Sequence, residues 1–92
     1  NKKNSFEKVI NITHSINKDK KRNLITIETS DSFGLLSKIA RVFFENDVSI
    51  FSARINTLGD RVEDTFEIEN FDHSLVEDKK IKNIVAVLEK VV

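Results

Sequence analysis

The run Asp31-Ser32-Phe33-Gly34-Leu35-Leu36 sets an acid, a hydroxyl and a glycine where an alternating segment gives way to a helical one. A helix that opens here leaves its first four N–H groups without intrahelical partners, at the positive end of its dipole. Such donors suit a carboxylate. Gly34 lets a ligand approach the backbone, and Asp31 offers a carboxylate to an ammonium group. The corner therefore complements an α-amino acid, which carries both charges close together. The plainer reading is that Asp31 or Ser32 only caps the helix and Gly34 only turns the chain.

Ser49, Phe51 and Ser52 lie in a later alternating run that the proposed sheet order leaves at an edge. Such an edge, with small hydroxyls and no Pro, invites pairing with another copy, which would then roof the neighbour's helix-start corner; a short edge blunted by Arg54 is the alternative. Asp64 has inward parity and needs a partner, for which Arg54 and Arg61 are the candidates. His14 reads as a strand residue and His73 as a loop residue, neither at metal-ligand spacing. The basic run Lys18 to Arg22 reads as a solvated turn. Hydrolytic triads, phosphate loops and zinc motifs are absent from the sequence.

These residues need a frame to hold them. The alternation of Phe6 to His14 and of Leu24 to Ser30 predicts two strands joined by a polar hairpin. From Leu35 the period becomes helical: Leu35, Leu36, Ile39, Ala40 and Phe43 form the expected stripe of a helix over Gly34 to Asn46. Val48 to Leu58 is extended, with Phe51, Ala53 and Ile55 on one side and Ile50, Ser52 and Arg54 on the other. Gly59-Asp60 makes a hairpin turn into a strand whose Val62, Phe66 and Ile68 point inward and whose Glu63, Thr65, Glu67 and Glu69 point outward. Ser74-Leu75-Val76-Glu77 has capping-box spacing and opens a last helix with Ile81, Ile84, Val85, Leu88 and Val92 as its stripe; a strand over Ile84 to Val91 is the alternative. The expected fold is α+β: a ferredoxin-like two-layer sandwich, ββαββα, with the N-terminal strand in the place of the usual last one. Residues 1–5 are a tail and 6–92 one domain.

Ninety-two residues bury only roughly 60–65% of their unfolded surface, which allows one thin core. Fifteen basic and fifteen acidic side chains cancel, so the long-range attraction used by nucleic acid or an anionic membrane is missing. The expected central strands also present no open-face aromatics for stacking RNA bases. No apolar run reaches the ~20 residues of a membrane span. The absence of Cys rules out disulfides and thiolate chemistry and fits a cytoplasmic protein. The chain starts at Asn1 without Met, as a piece of something longer would.

Two stretches resemble the ACT family of small regulatory domains. TSDSFGLLSKIARVF looks like that family's D-R-P-G-L-L helix start, with Phe33 where the family has proline. VSIFSARINTLGDRVEDTFEI is similar to the C-terminal ACT domain of bacterial PII uridylyltransferase/uridylyl-removing enzymes. The resemblance implies a module that pairs with another ACT copy, as a homodimer or in tandem, and senses an amino acid, glutamine in those enzymes. It implies ligand contacts from Asp31 and the backbone of Ser32, Phe33, Gly34, Leu35 and Leu36, with Ser49, Phe51 and Ser52 on the partner side. It places no catalytic residue, metal or cofactor here; Mg and UTP, and PII as substrate, belong to the larger enzyme. A structural ACT pairing module without ligand is the alternative.

Overall fold

A computed structural model describes residues 11–19, 21–30 and 34–91. Six elements follow one another: β1 (Asn11–Asn17), β2 (Arg22–Ser30), α1 (Leu35–Glu45), β3 (Val48–Leu58), β4 (Arg61–Asn70) and α2 (Asp78–Val91). The strands form one antiparallel sheet in the order β1–β2–β4–β3. This is the ferredoxin-like plan expected above, with β1 beside β2 in the place of a final strand. The expected start of β1, Phe6 to Ile10, lies outside the described residues. Its end is corrected from His14 to Asn17, because Ser15, Ile16 and Asn17 continue the ladder opposite Leu24, Asn23 and Arg22.

Alternate residues of β2 and β4 meet both helices in one core. Ile25 and Ile27, Phe66 and Ile68, Leu35, Ile39, Val42 and Phe43, and Ile81, Ile84 and Leu88 are its main members. Phe43 and Phe66 meet edge to face, 5.4 Å between centroids. The buried stripe of α1 differs from the expected one. Val42 is buried, whereas Leu36 and Ala40 are exposed and continue into Phe44, which is 70% exposed. Positions 35, 39, 42 and 43 share one side of a 3.6-residue period; 36, 40 and 44 form the adjacent ridge. That second apolar ridge is left uncovered.

The opening of α2 is also corrected. Ser74 donates its hydroxyl (2.6 Å) and its N–H (3.0 Å) to Asp72 Oδ1, closing a local turn instead of capping a helix. The helix begins four residues later, with Ile81 N–H donating to Glu77 O. The lead-in is held from the sheet: the Val76 N–H donates to Oδ1 of buried Asn23 at 2.8 Å, and Asn70 Nδ2 donates to Leu75 O at 3.1 Å. The burial of Ile81, Ile84 and Leu88 on one stripe settles helix against strand for this segment.

In β3 a bulge falls between Ile50 and Ser52. The extra residue inverts the expected facing around it. Ile50 pairs with Ile68 and Ala53 with Phe66, so both face the helices; Ser52 pairs with Glu67 and faces the open side. Beyond Val48 and Ser49 the strand is exposed throughout. The reason is length. The eleven residues of α1 span about 16 Å. Its last turn meets the sheet at the Val48–Asn70 pair, where the Phe71 N–H donates to Asp47 O. Asp64 lies six residues along β4 from Asn70, about 20 Å at ~3.4 Å per residue. The helix thus ends near the Phe66 and Asp64 rows, and the β3–β4 hairpin, turning at Gly59 with φ 68°, runs on beyond it.

Two substitutions test this packing in chemical denaturation. Ile39→Ala should lower stability by about 2–5 kcal/mol. Asn23→Ala, which orphans a buried N–H, should cost about 1–3 kcal/mol.

Candidate functional site

The helix-start corner is built where β2 hands the chain to α1. Asp31, Ser32 and Phe33 lie outside the described residues. Gly34 is the N-cap residue, with φ 75°, a left-handed conformation that favours glycine. The expected caps, Asp31 and Ser32, lie outside the described residues; the N-cap position itself is held by Gly34, which has no side chain to cap with. The Lys38 N–H reaches Gly34 O at 3.3 Å, so the N–H groups of Leu35, Leu36 and Ser37 precede the first intrahelical bond. Among the described residues a Cβ built on Gly34 meets nothing within 4 Å, so the positive φ and not crowding is what favours glycine here. Leu35 turns into the core and Leu36 is exposed.

Asp64 stands on the helix-facing side of the sheet. It pairs across with Ile27 of β2 and Ile55 of β3 and is 2% exposed. Its Oδ1 has no hydrogen-bond partner, and burial pushes its carboxyl above the ordinary aspartate range. The expected partners do not serve it. Arg61 bonds Glu28 Oε2 at 3.1 Å, and Arg54 pairs with Thr65, both on the open face.

Ser49, Phe51 and Ser52 lie elsewhere in the same chain. Ser49 and Ser52 pair with Glu69 and Glu67, which puts them on the open face, near the end of the sheet where α1 finishes. Within one chain they do not meet Gly34. An antiparallel pairing of two β3 edges would bring the first half of one strand beside the second half of the other.

The open face holds a charged chain that parity alone does not reveal. Arg22 is not in a solvated turn: it opens β2 and bonds Glu67 Oε2 at 3.4 Å and Glu69 Oε1 at 3.3 Å. Its guanidinium lies 3.4 Å from the centroid of Phe51, whose bulged position sends the ring over it. Ser52 donates to Glu67 Oε1 at 3.0 Å, and His73 Nδ1 meets Glu69 Oε2 at 2.8 Å. Glu67 and Glu69 point outward as expected, yet both are buried beneath these partners. The His73 and Arg22 contacts hold the Glu69 carboxyl below its usual range. The signal available was Arg22 and His73 flanking a Glu-x-Glu strand, visible only once the register is known. Among the described residues no group of three or more His, Cys, Asp or Glu side chains could hold a metal ion. No described helix is long and apolar enough to cross a membrane.

The raised Asp64 carboxyl has a defined sign in stability. Between the unfolded and native pKa values the native state binds the extra proton, so stability falls as pH rises through that window. Subtracting the melt profile of Asp64→Asn from that of the wild type should isolate this decline. The variant should be at least as stable as the wild type at neutral pH.

No family model matches the chain, and no solved structure matches it. Curated relatives do. The bifunctional uridylyltransferase/uridylyl-removing enzyme of Psychrobacter sp. (strain PRwf-1) is 30% identical over 84 residues, 91% of this chain and 9% of the relative. That of Pseudoalteromonas translucida is 41% identical over 71 residues, 77% of this chain and 8% of the relative. That of Cupriavidus metallidurans is 52% identical over 46 residues, half of this chain and 5% of the relative. The chain spans under a tenth of the length of each. The six elements with their helix-start corner are therefore homologous to a short segment of bifunctional uridylyltransferase/uridylyl-removing enzymes.

Proposed function

We propose that the chain is a regulatory, amino-acid-sensing module of the ACT type, belonging to a cytoplasmic enzyme that adds UMP to PII and removes it, with glutamine as the ligand. The observation that carries this reading is the homology: nine-tenths of the chain corresponds to 9% of such an enzyme. The chemistry with UTP and Mg then lies in other parts of the larger protein. The start of α1 takes the ligand's α-carboxylate through the Leu35, Leu36 and Ser37 amides, and the resemblance adds Asp31, for the ammonium group, and the backbone of Ser32, Phe33 and Gly34. Ser49, Phe51 and Ser52 come from a second copy paired along β3. Regulation follows by population shift: glutamine favours the pairing that binds it better, and with it one state of the attached catalytic parts.

A surface observation supports pairing on the β3 side. The open face is polar and internally bonded, with Thr26 meeting Thr65 at 3.2 Å as well as the Arg22 and Arg61 pairs. β3 carries four exposed apolar side chains, Ile50, Phe51, Ile55 and Leu58, more than any other described element; Leu36 and Phe44 are exposed on α1, and Ile16, Phe71, Leu75, Val87 and Val91 are scattered over β1, the β4–α2 connection and α2.

Two measurements test the reading. Titration calorimetry with glutamine should give saturable heat; a confirmed dimer that gives none is the structural module without ligand. In sedimentation, Ile50→Lys should shift the chain from dimer to monomer without loss of helix signal, and an unchanged distribution would rule out pairing through this edge.

A further inference from the structure

We infer that the hollow between β1 and the lead-in to α2 binds an α-amino acid with an apolar side chain, with Asn23 and Lys18 receiving its carboxylate and Glu77 its ammonium group. This hollow is separate from the corner at α1. β1 and β3 are opposite rims of the sheet, so the hollow forms within one chain and stays open when β3 pairs.

The helix layer stops short of the β1 rim. Ile16 pairs with Asn23 and shares its helix-facing side, yet Ile16 is 49% exposed. Beside it lies a cavity of about 740 Å³, within the roughly 300–1,000 Å³ of small-molecule sites. Ile16, Leu75, Val76 and Ile81 supply its apolar wall, and Lys18, Asn23, Glu77 and Asp78 its main polar groups.

Asn23 calls for a ligand. It is 3% exposed, and its Oδ1 accepts from the Val76 N–H, which fixes which end of the amide is which. Nδ2, with its two N–H groups, has no partner among the described residues. Nor is it sealed in: Asp64 Oδ1 is the only wholly buried side-chain nitrogen or oxygen without a partner among those residues. The free donors therefore open onto the cavity that Asn23 lines, and buried donors are ordinarily matched by acceptors. The start of α2 adds to them. Ile81 N–H bonds Glu77 O, so the Asp78, Lys79 and Lys80 N–H groups precede the first intrahelical bond.

Charge narrows the choice. Asp78 is held by Lys82 at 3.2 Å, whereas neither Lys18 nor Glu77 has an ion pair among the described residues. One free cation and one free acid thus line the same cavity. A carboxylate without an amino group leaves Glu77 as a like charge beside it, and an amine leaves Lys18 and the Asn23 donors unmatched. An α-amino acid meets both, and an apolar side chain on it covers Ile16 and Leu75.

The test is a two-dimensional amide NMR titration of the chain. Its probes are leucine, 4-methylpentanoate (leucine without its amino group), isopentylamine (leucine without its carboxylate) and glutamine. Leucine should shift the Asn23 side-chain amide and the Val76 N–H saturably, and each half-ligand should bind about tenfold or more weakly. Lys18 and Glu77 are exposed, so replacing them leaves the fold intact. Glu77→Gln should weaken leucine about tenfold and leave 4-methylpentanoate unchanged; Lys18→Ala should weaken both and leave isopentylamine unchanged. Asn23 signals that leucine does not move, 4-methylpentanoate that binds as tightly as leucine, or variants that bind leucine like the wild type would each overturn the assignment. The two amino-acid readings fail separately. Glutamine that shifts only the Leu35–Ser37 amides, with leucine silent at Asn23, sinks this site and leaves the sensor at α1. Leucine acting at Asn23 with no response to glutamine supports this site and removes the other.

Discussion

An eleven-residue helix is roughly half as long as the eleven-residue strand that follows it, since a helix rises about 1.5 Å per residue and a strand about 3.4 Å. Most of the arrangement follows from that mismatch. Starting from the shared Val48–Asn70 end, α1 can cover only the first part of the β3–β4 pair. There the sheet is buried at Phe66 and Ile68. Past that point the hairpin projects, with Ile55 and Leu58 about half exposed.

The two faces of the sheet solve their problems differently. The helix side is apolar except at a few positions, where Asn23 holds Val76 and Asp64 Oδ1 has no partner. The open side is finished with side-chain pairs: Arg22 between Glu67 and Glu69, Arg61 on Glu28, Thr26 on Thr65. Glu28, Glu67 and Glu69 each have a cation or hydroxyl within reach there. The contrast sets Asp64 apart, since Glu67 and Glu69 on the same strand are met by Arg22 of β2, Ser52 of β3 and His73 of the turn after β4. A fold that tolerates one unpartnered acid while satisfying its neighbours has given up stability at that position.

Much of the fold was legible because periodicity reports burial. The change from period two to 3.6 after Ser30, the glycine turn at Gly59 and the Ile81–Leu88 stripe all reappear as elements. What stayed hidden depends on register and on local competition. The choice between the Leu36 and Val42 ridges in α1 turns on where the helix lies over the sheet, which no spacing encodes. Ser74 has capping-box spacing, but Asp72, two residues earlier, captures it first. The bulge at Phe51 has no sequence mark, and one extra residue reverses the sides of Ile50 and Phe51. At the helix start, the glycine turn was readable from the sequence. The isolation of Asp64 was not, because Arg54 and Arg61 are close in sequence yet turned to the other face.

The sheet has two unlike rims. One is the seven-residue β1, mostly polar and free of exposed side chains larger than Ile16 on its apolar positions; the other is the eleven-residue β3, oily and interrupted once. A rim that joins its own kind does so about a twofold axis, and both members are then consumed. What faces outward afterwards is β1 at each end, short and hydrophilic, a poor template for adding further strands.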